Sequence, residues 1–286
     1  MVAKFGPAGS SLSFTAAKKK TVEMPEYLHG FGLQAYEYQF GRGVRGKAES
    51  FAEFGKNAGK YGITVSAHAP YYISLSSANE ETRLKSVEYI LQTAEALKHL
   101  GGRRMVVHAG SLSGRSRKDA LVLAKNTLKL ALDALDENRL DMTVCPETMG
   151  KINQLGDLDE VLELCLSDER MIPCIDFGHL NARTMGGIKT KEDYLAVFDK
   201  IENVLGHEKL EQMHCHFSKI EYSAGGEKRH LNLDDKKFGP PHEIFAGLIA
   251  QKKLSPIIIS ESAGLQAEDA ALMQKIYKKV MQEYKK

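Results

Sequence analysis

Seven short β-rich runs, at residues 34–40, 63–68, 104–108, 142–147, 171–176, 212–217 and 257–261, are spaced along almost the whole chain, and residues 3–5 supply an eighth. The gaps between them read as helices. Leu84, Val87, Leu91, Ala94 and Leu97 recur at helical spacing in one gap, and Leu121, Leu123, Ala124, Leu128, Leu130, Leu132 and Leu135 do so in the next. Strands separated by helices over the full length predict a parallel sheet. About eight such units in about 250 residues is the arithmetic of a closed α/β barrel, the (β/α)8 TIM barrel. An open doubly wound sheet is the alternative, but no glycine fingerprint follows the first strand.

A chain of 286 residues, 43% of them hydrophobic, can bury one large core, so a single domain over 1–286 is expected. Lys and Arg total 39 against 37 Asp and Glu, and a net charge of +2 makes no electrostatic case for nucleic acid. Any such function must rest on the site. The N-terminus reaches Lys18-Lys19-Lys20 without an apolar stretch, and no run approaches the length of a membrane span, so a cytoplasmic, monomeric protein with no membrane partner is expected. Cys145, Cys165, Cys174 and Cys215 form no C-x-x-C pair and read as reduced, buried thiols. Residues 41–49 and 218–241, the latter ending in Gly239-Pro240-Pro241, read as long loops, which in a compact domain tend to be functional.

The β-rich runs end in a pattern. They close on His68, His108, Glu147, Asp176 and Glu261, while the run around Met213 carries His214 and His216, two residues apart and therefore on one side of a strand. In a barrel all these ends open on one face. Carboxylates crowded there repel one another unless protonated or neutralised by a cation, so a metal is the economical physical solution. Mixed imidazole and carboxylate donors favour zinc, with manganese or iron also compatible, over calcium or magnesium. His179, one turn beyond Asp176, and Glu227 and His230 in the second long loop add further donors. One zinc takes about four ligands, so this set implies two or three ions, with Glu147 as the natural bridge.

From about residue 30 to 262 these motifs resemble the endonuclease IV family of apurinic/apyrimidinic endonucleases. His68 in AHAPYYISL stands at the histidine of the family's PHxSYxINL-like segment, and His108 in VVHAGS at that of FHPGS. Glu147 in PETMGKINQLG matches ENTAG…LG, Asp176 and His179 in CIDFGH match CIDTCH, and Glu261 in IIISES matches LILET. The resemblance implies a three-zinc barrel that cleaves DNA on the 5′ side of an abasic nucleotide. Aligning the family's MHLNDxK with residues 213–219 favours His214 as the donor, with His216 as the alternative. The family's Asp-x-His pair becomes Glu227-Lys228-Arg229-His230, one residue longer. Tyr71 and Tyr72 stand where the family has a wedge against DNA, and Arg42 or Arg45 in place of an arginine that enters the groove.

The expected chemistry is in-line attack on a phosphodiester by a hydroxide shared between two ions, with Glu147 as bridge and Glu261 orienting the water. Metal binding lowers the pKa of water from near 16 towards about 7. The competing reading is a one-metal sugar isomerase or epimerase of the xylose-isomerase-like barrels, which needs Glu147, Asp176, His214 and Glu261 but has no use for four further imidazoles. A metal-binding protein without catalysis is the third.

Overall fold

The computed structural model describes residues 2–284; residues 1, 285 and 286 of the expected domain lie outside them. The strands are β1 (Lys4–Pro7), β2 (Ala35–Gln39), β3 (Thr64–His68), β4 (Arg104–Val107), β5 (Thr143–Pro146), β6 (Cys174–Asp176), β7 (His214–Phe217), β8 (Lys219–Ser223), β9 (Gly226–Leu231) and β10 (Ile257–Ser260). Two parallel sheets, β2-β3-β4-β5 and β1-β10-β7-β6, each contribute four strands. They meet at two seams. Ala8 bridges Glu37 at one and Glu147 bridges Cys174 at the other, so the eight strands form a ring. The barrel expected from the alternation of runs is therefore the fold, and the open sheet is excluded. The chain is an α/β TIM barrel.

The helices around the barrel are α1 (Leu12–Ala16), α2 (Met24–Gly30), α3 (Ala48–Tyr61), α4 (Glu80–His99), α5 (Arg117–Glu137), α6 (Leu158–Cys165), α7 (Phe177–Arg183), α8 (Lys191–Leu205), α9 (His207–Glu211), α10 (His242–Gln251) and α11 (Gln266–Glu283). Their starts are written locally. Asn79 caps α4 and Ser116 caps α5, while Asp157 with Glu160 and Thr190 with Asp193 form capping boxes on α6 and α8. Gly62 ends α3 in the left-handed region at φ +68°, which glycine adopts without strain. No helix of the described residues is long and apolar enough to cross a membrane. All four cysteines are buried.

Strand alternation sends Tyr36, Tyr38 and Phe40 of the β2 segment outward into the core beneath the helices, and Ala35 and Glu37 inward. Two small apolar clusters, Ala8/Ala35/Ile257/Ile259 and Val106/Cys145/Ile172/Cys174, are separate from that outer core and lie on inward strand positions. Buried Glu37, Ser66 and His214 add a polar layer to the barrel interior. Residues 218–241, expected as a loop, contain the antiparallel hairpin β8-β9. Its polar composition masked it, because a two-stranded ribbon exposed on one side needs no apolar alternation there.

Closure constrains Gly6. A methyl group there would sit 1.8 Å from the carbonyl oxygen of Ala35, on the neighbouring strand at the β1-β2 seam. Gly6→Ala is expected to lower stability by about 3 kcal/mol, as overpacking against immovable backbone does. Urea unfolding of the metal-free protein measures this, and an unshifted midpoint would contradict the close approach.

Candidate metal centre

The donors converge on the barrel's C-terminal mouth in three adjoining groups. His68 ends β3, His108 and Glu147 follow β4 and β5 by one residue, and these three form the first group. Nε2 of His68 and Nε2 of His108 lie 3.2 and 3.0 Å from Oε2 of Glu147. The second group is Glu147, Asp176, His216 and Glu261. Here Nδ1 of His216 lies 3.0 Å from the other Glu147 oxygen, Oε1, and 3.5 Å from Oε2 of Glu261. Each Glu147 oxygen thus faces a different group. A tetrahedral ion with bonds of about 2.0–2.1 Å holds its ligand atoms about 3.3 Å apart, which these spacings match.

Asp176 fits a cation for a further reason. It caps α7 through Oδ1, which accepts the His179 backbone N–H at 2.8 Å, while Oδ2 is buried without a hydrogen-bond partner. Nδ1 of His179 is 3.3 Å from that oxygen, but its proton goes to the Thr148 carbonyl at 2.8 Å. A buried carboxylate oxygen left bare is costly unless an ion completes it.

The third group is His179, Glu227 and His230. Nε2 of His179 is 3.4 Å from Oε2 of Glu227, and Nε2 of His230 is 3.8 Å from its Oε1. Glu227 and His230 are three positions apart, a spacing that points two side chains to opposite faces of a regular strand. A β-bulge corrects this. Glu221 pairs with Arg229 and Tyr222 with Glu227, so Lys228 is the extra residue and the donors return to one face. The longer Glu-x-x-His spacing is thus absorbed by the hairpin. Gly150 lets the hairpin approach, since a methyl group there would meet Glu227 at 2.7 Å and His179 at 2.9 Å.

His214, favoured from the motif alignment, is not in the four-donor group; His216 is. Both point into the barrel, but His216 is nearer the C-terminal end of β7 and reaches the mouth, whereas His214 lies one layer deeper. Nε2 of His214 donates to Oε2 of Glu37 at 2.9 Å, and His214 also lies close to Cys174 and His216. Glu37 escaped the sequence reading. Its signal was a carboxylate on the inward side of a strand whose outward positions are aromatic.

Burial opposes every charge here, and the balance differs by residue. His216, His108 and His179 hold Glu147 well below the usual carboxylate range despite its burial. Burial pushes Asp176 up to about 6 against the pull of His179, whereas His216 and His230 overcome burial to hold Glu261 at about 2. Against burial, His179 is raised well above the imidazole range by Asp176, Glu147 and Glu227, and His216 by Cys174 and the carboxylates of Glu37, Glu261 and Glu147, while His108 is pushed down by burial. Without a cation, imidazolium ions neutralise the carboxylates.

These groups floor a cleft of about 420 Å³ whose walls include Tyr71, Met149, Lys151 and Gln154. Tyr71, 54% exposed, lies over His108 with ring centroids 5.7 Å apart. Tyr72 packs edge-on against Tyr89 outside the cleft, and Arg42 is exposed on the loop after β2. Arg183 and Arg117 donate to the carbonyls of Ile152 and Gln154, holding the loop that carries Lys151.

Cation uptake must displace the protons on His179 and His216, so zinc affinity falls as pH falls and binding releases protons; calorimetric titration in buffers of different protonation enthalpy measures the release. Deleting Lys228 restores a regular strand with Glu and His still on one face, so elemental analysis should find an unchanged ion count. Glu227→Gln should lose one ion.

The family model described as xylose isomerase-like TIM barrel matches residues 25–276. An uncharacterized protein of Methanocaldococcus jannaschii is 37% identical over 276 residues, covering 96% of each chain. A "Probable endonuclease 4" of Shouchella clausii is 24% identical over 243 residues, covering 81% of this chain and 80% of that one. The crystal structure of endonuclease IV from Thermus thermophilus superposes with a TM-score of 0.68 at 22% identity, over 98% of this chain and 99% of that one. A D-tagatose 3-epimerase-like protein gives 0.69 at 18%, over 99% and 100%. At these identities the two structures share the fold with this chain, and the sequence matches go further. With its mouth built from strand-end imidazoles and carboxylates, the chain belongs to the xylose isomerase-like TIM barrel family and resembles the endonuclease IV proteins within it.

Proposed function

We propose that this chain is a metal-dependent phosphodiester hydrolase of the endonuclease IV type, acting on DNA 5′ to abasic or damaged nucleotides with two or three zinc ions. The observation that carries this reading is the presence of three adjoining donor groups, two of them sharing Glu147 through different oxygens. Ions held there would lower the pKa of water towards about 7 and offset the charge of a phosphate. His68, His108 and Glu147 would hold one ion, Glu147, Asp176, His216 and Glu261 a second, and His179, Glu227 and His230 a third.

The chain's own groups divide the remaining work. Glu261 remains ionised in the cleft, able to accept a hydrogen bond from a water and aim it at phosphorus. Lys151, an exposed cation on the cleft wall, suits a non-bridging phosphate oxygen. Tyr71 offers an aromatic face at the rim on which an unstacked base or bared sugar can rest, with Tyr72 and Arg42 on the neighbouring loops to engage the duplex.

The fold shared with a D-tagatose 3-epimerase-like protein supports a second reading, a one-metal sugar epimerase using Glu147, Asp176, His216 and Glu261 alone. That reading leaves His68, His108, His179, Glu227 and His230 without a task.

A duplex carrying one tetrahydrofuran abasic analogue separates the two. Nicking 5′ to the analogue is expected, abolished by chelator and reduced by more than about 100-fold in Glu261→Gln with the thermal midpoint preserved. An intact duplex together with interconversion of ketose epimers would replace the hydrolase reading with the epimerase one.

A further inference from the structure

His216 is the only imidazole of the four-donor group, and the far side of its ring faces a carboxylate. Its Nε2 lies 2.9 Å from Oε1 of Glu37, at contact distance though off the straight hydrogen-bond line. Glu37 is fully buried on β2, and its oxygens also accept from Ser66 Oγ at 3.0 Å, His214 Nε2 at 2.9 Å and Gln39 Nε2 at 3.2 Å. A ring nitrogen and a carboxylate oxygen cannot stand 2.9 Å apart in a dry interior with two lone pairs opposed. The nitrogen facing Glu37 therefore carries a proton. Nδ1 faces a carboxylate as well, Glu147 at 3.0 Å, so without a cation it too needs a proton; a cation in the four-donor group would replace the Nδ1 proton alone, because Nε2 faces Glu37 outside that group and keeps its own.

Three other imidazoles of the mouth are backed differently. Nδ1 of His68 donates to the Ala69 carbonyl at 2.7 Å, Nδ1 of His179 to the Thr148 carbonyl at 2.8 Å, and Nδ1 of His230 pairs with Ser218 Oγ at 2.9 Å. Those partners are neutral. Glu37 instead places a full negative charge behind a donor imidazole, and no solvent reaches it to dilute that charge. Burying a carboxylate in a barrel is expensive, and an apolar side chain would fill the space at lower cost. A negative charge behind an imidazole raises its basicity and so its hold on a cation.

We propose that Glu37 is a positioning residue that sets the tautomer of His216 and the cation affinity of the Glu147, Asp176, His216 and Glu261 group, with His214 bracing Glu37 rather than binding metal. This rests on the reading that the mouth holds cations, and it is independent of whether the reaction is hydrolysis or epimerisation.

Competitive zinc titration of the full chain against a chromophoric chelator tests it. In Glu37→Gln, which keeps the shape and removes the charge, one zinc should bind about 10- to 100-fold more weakly while the others are unchanged, with the metal-free thermal midpoint preserved or raised. Cobalt(II) bound in place of zinc should show a shifted visible absorption in the same variant. Glu37→Asp, which keeps the charge, should recover most of the affinity, and it stands in should Glu37→Gln not fold. Ser66→Ala, which removes only a hydroxyl from Glu37, should stay within about two-fold. His216→Asn should lose an ion outright, and His214→Asn should retain it with reduced affinity. Unchanged zinc affinity in Glu37→Gln, or equal loss of an ion in the two histidine variants, overturns the proposal. A wild-type chain that binds no zinc overturns the metal reading and this one together.

Discussion

Glu147 does two jobs at one place in the chain. Its backbone N–H donates to the Val107 carbonyl, and its bridge to Cys174 makes one of the two seams between the half-barrels. Its buried side chain meanwhile turns one oxygen to His68 and His108 and the other to His216. Closing the ring and joining the first two donor groups are thus the same structural event. The remaining donors are arranged around that carboxylate, and its charge raises the proton affinity of His68 and His179 against their burial.

Beneath the mouth the barrel interior is not uniformly apolar. Glu37, Ser66 and His214 form a dry polar layer between small aliphatic side chains, and Gln39 extends it upward to the Tyr71 hydroxyl at the rim. Such a layer is tolerable only when its members satisfy one another, and here each oxygen of Glu37 has two partners. The rim aromatic, the buried carboxylate and the four-donor group are therefore one connected set.

The third donor group depends on a different principle. Backbone irregularity is what delivers it: one bulged residue, Lys228, allows a carboxylate and an imidazole three residues apart to share a face. Close approach of the hairpin to the loop after β5 then needs Gly150, where any side chain would strike Glu227 and His179. An insertion that looks in the sequence like damage to a motif is neutral in the folded strand pair.

By itself the sequence determined the barrel and most of the mouth. Alternating strand and helix periodicity is a local property, and donors at strand ends are carried to one face by the parallel topology alone, so His68, His108, Glu147, Asp176 and Glu261 needed no coordinates to be grouped. Three matters were decided only in three dimensions. Whether His214 or His216 reaches the mouth depends on layer depth, because residues two apart on a strand are equivalent in pattern but about 7 Å apart along the strand. Glu37 emerged as a partner only when β2 was laid across the barrel from β7, a contact between residues 177 apart in sequence. The hairpin, finally, takes its register from pairing between β8 and β9, and a bulge has no signature in side-chain pattern until the strands that flank it are paired.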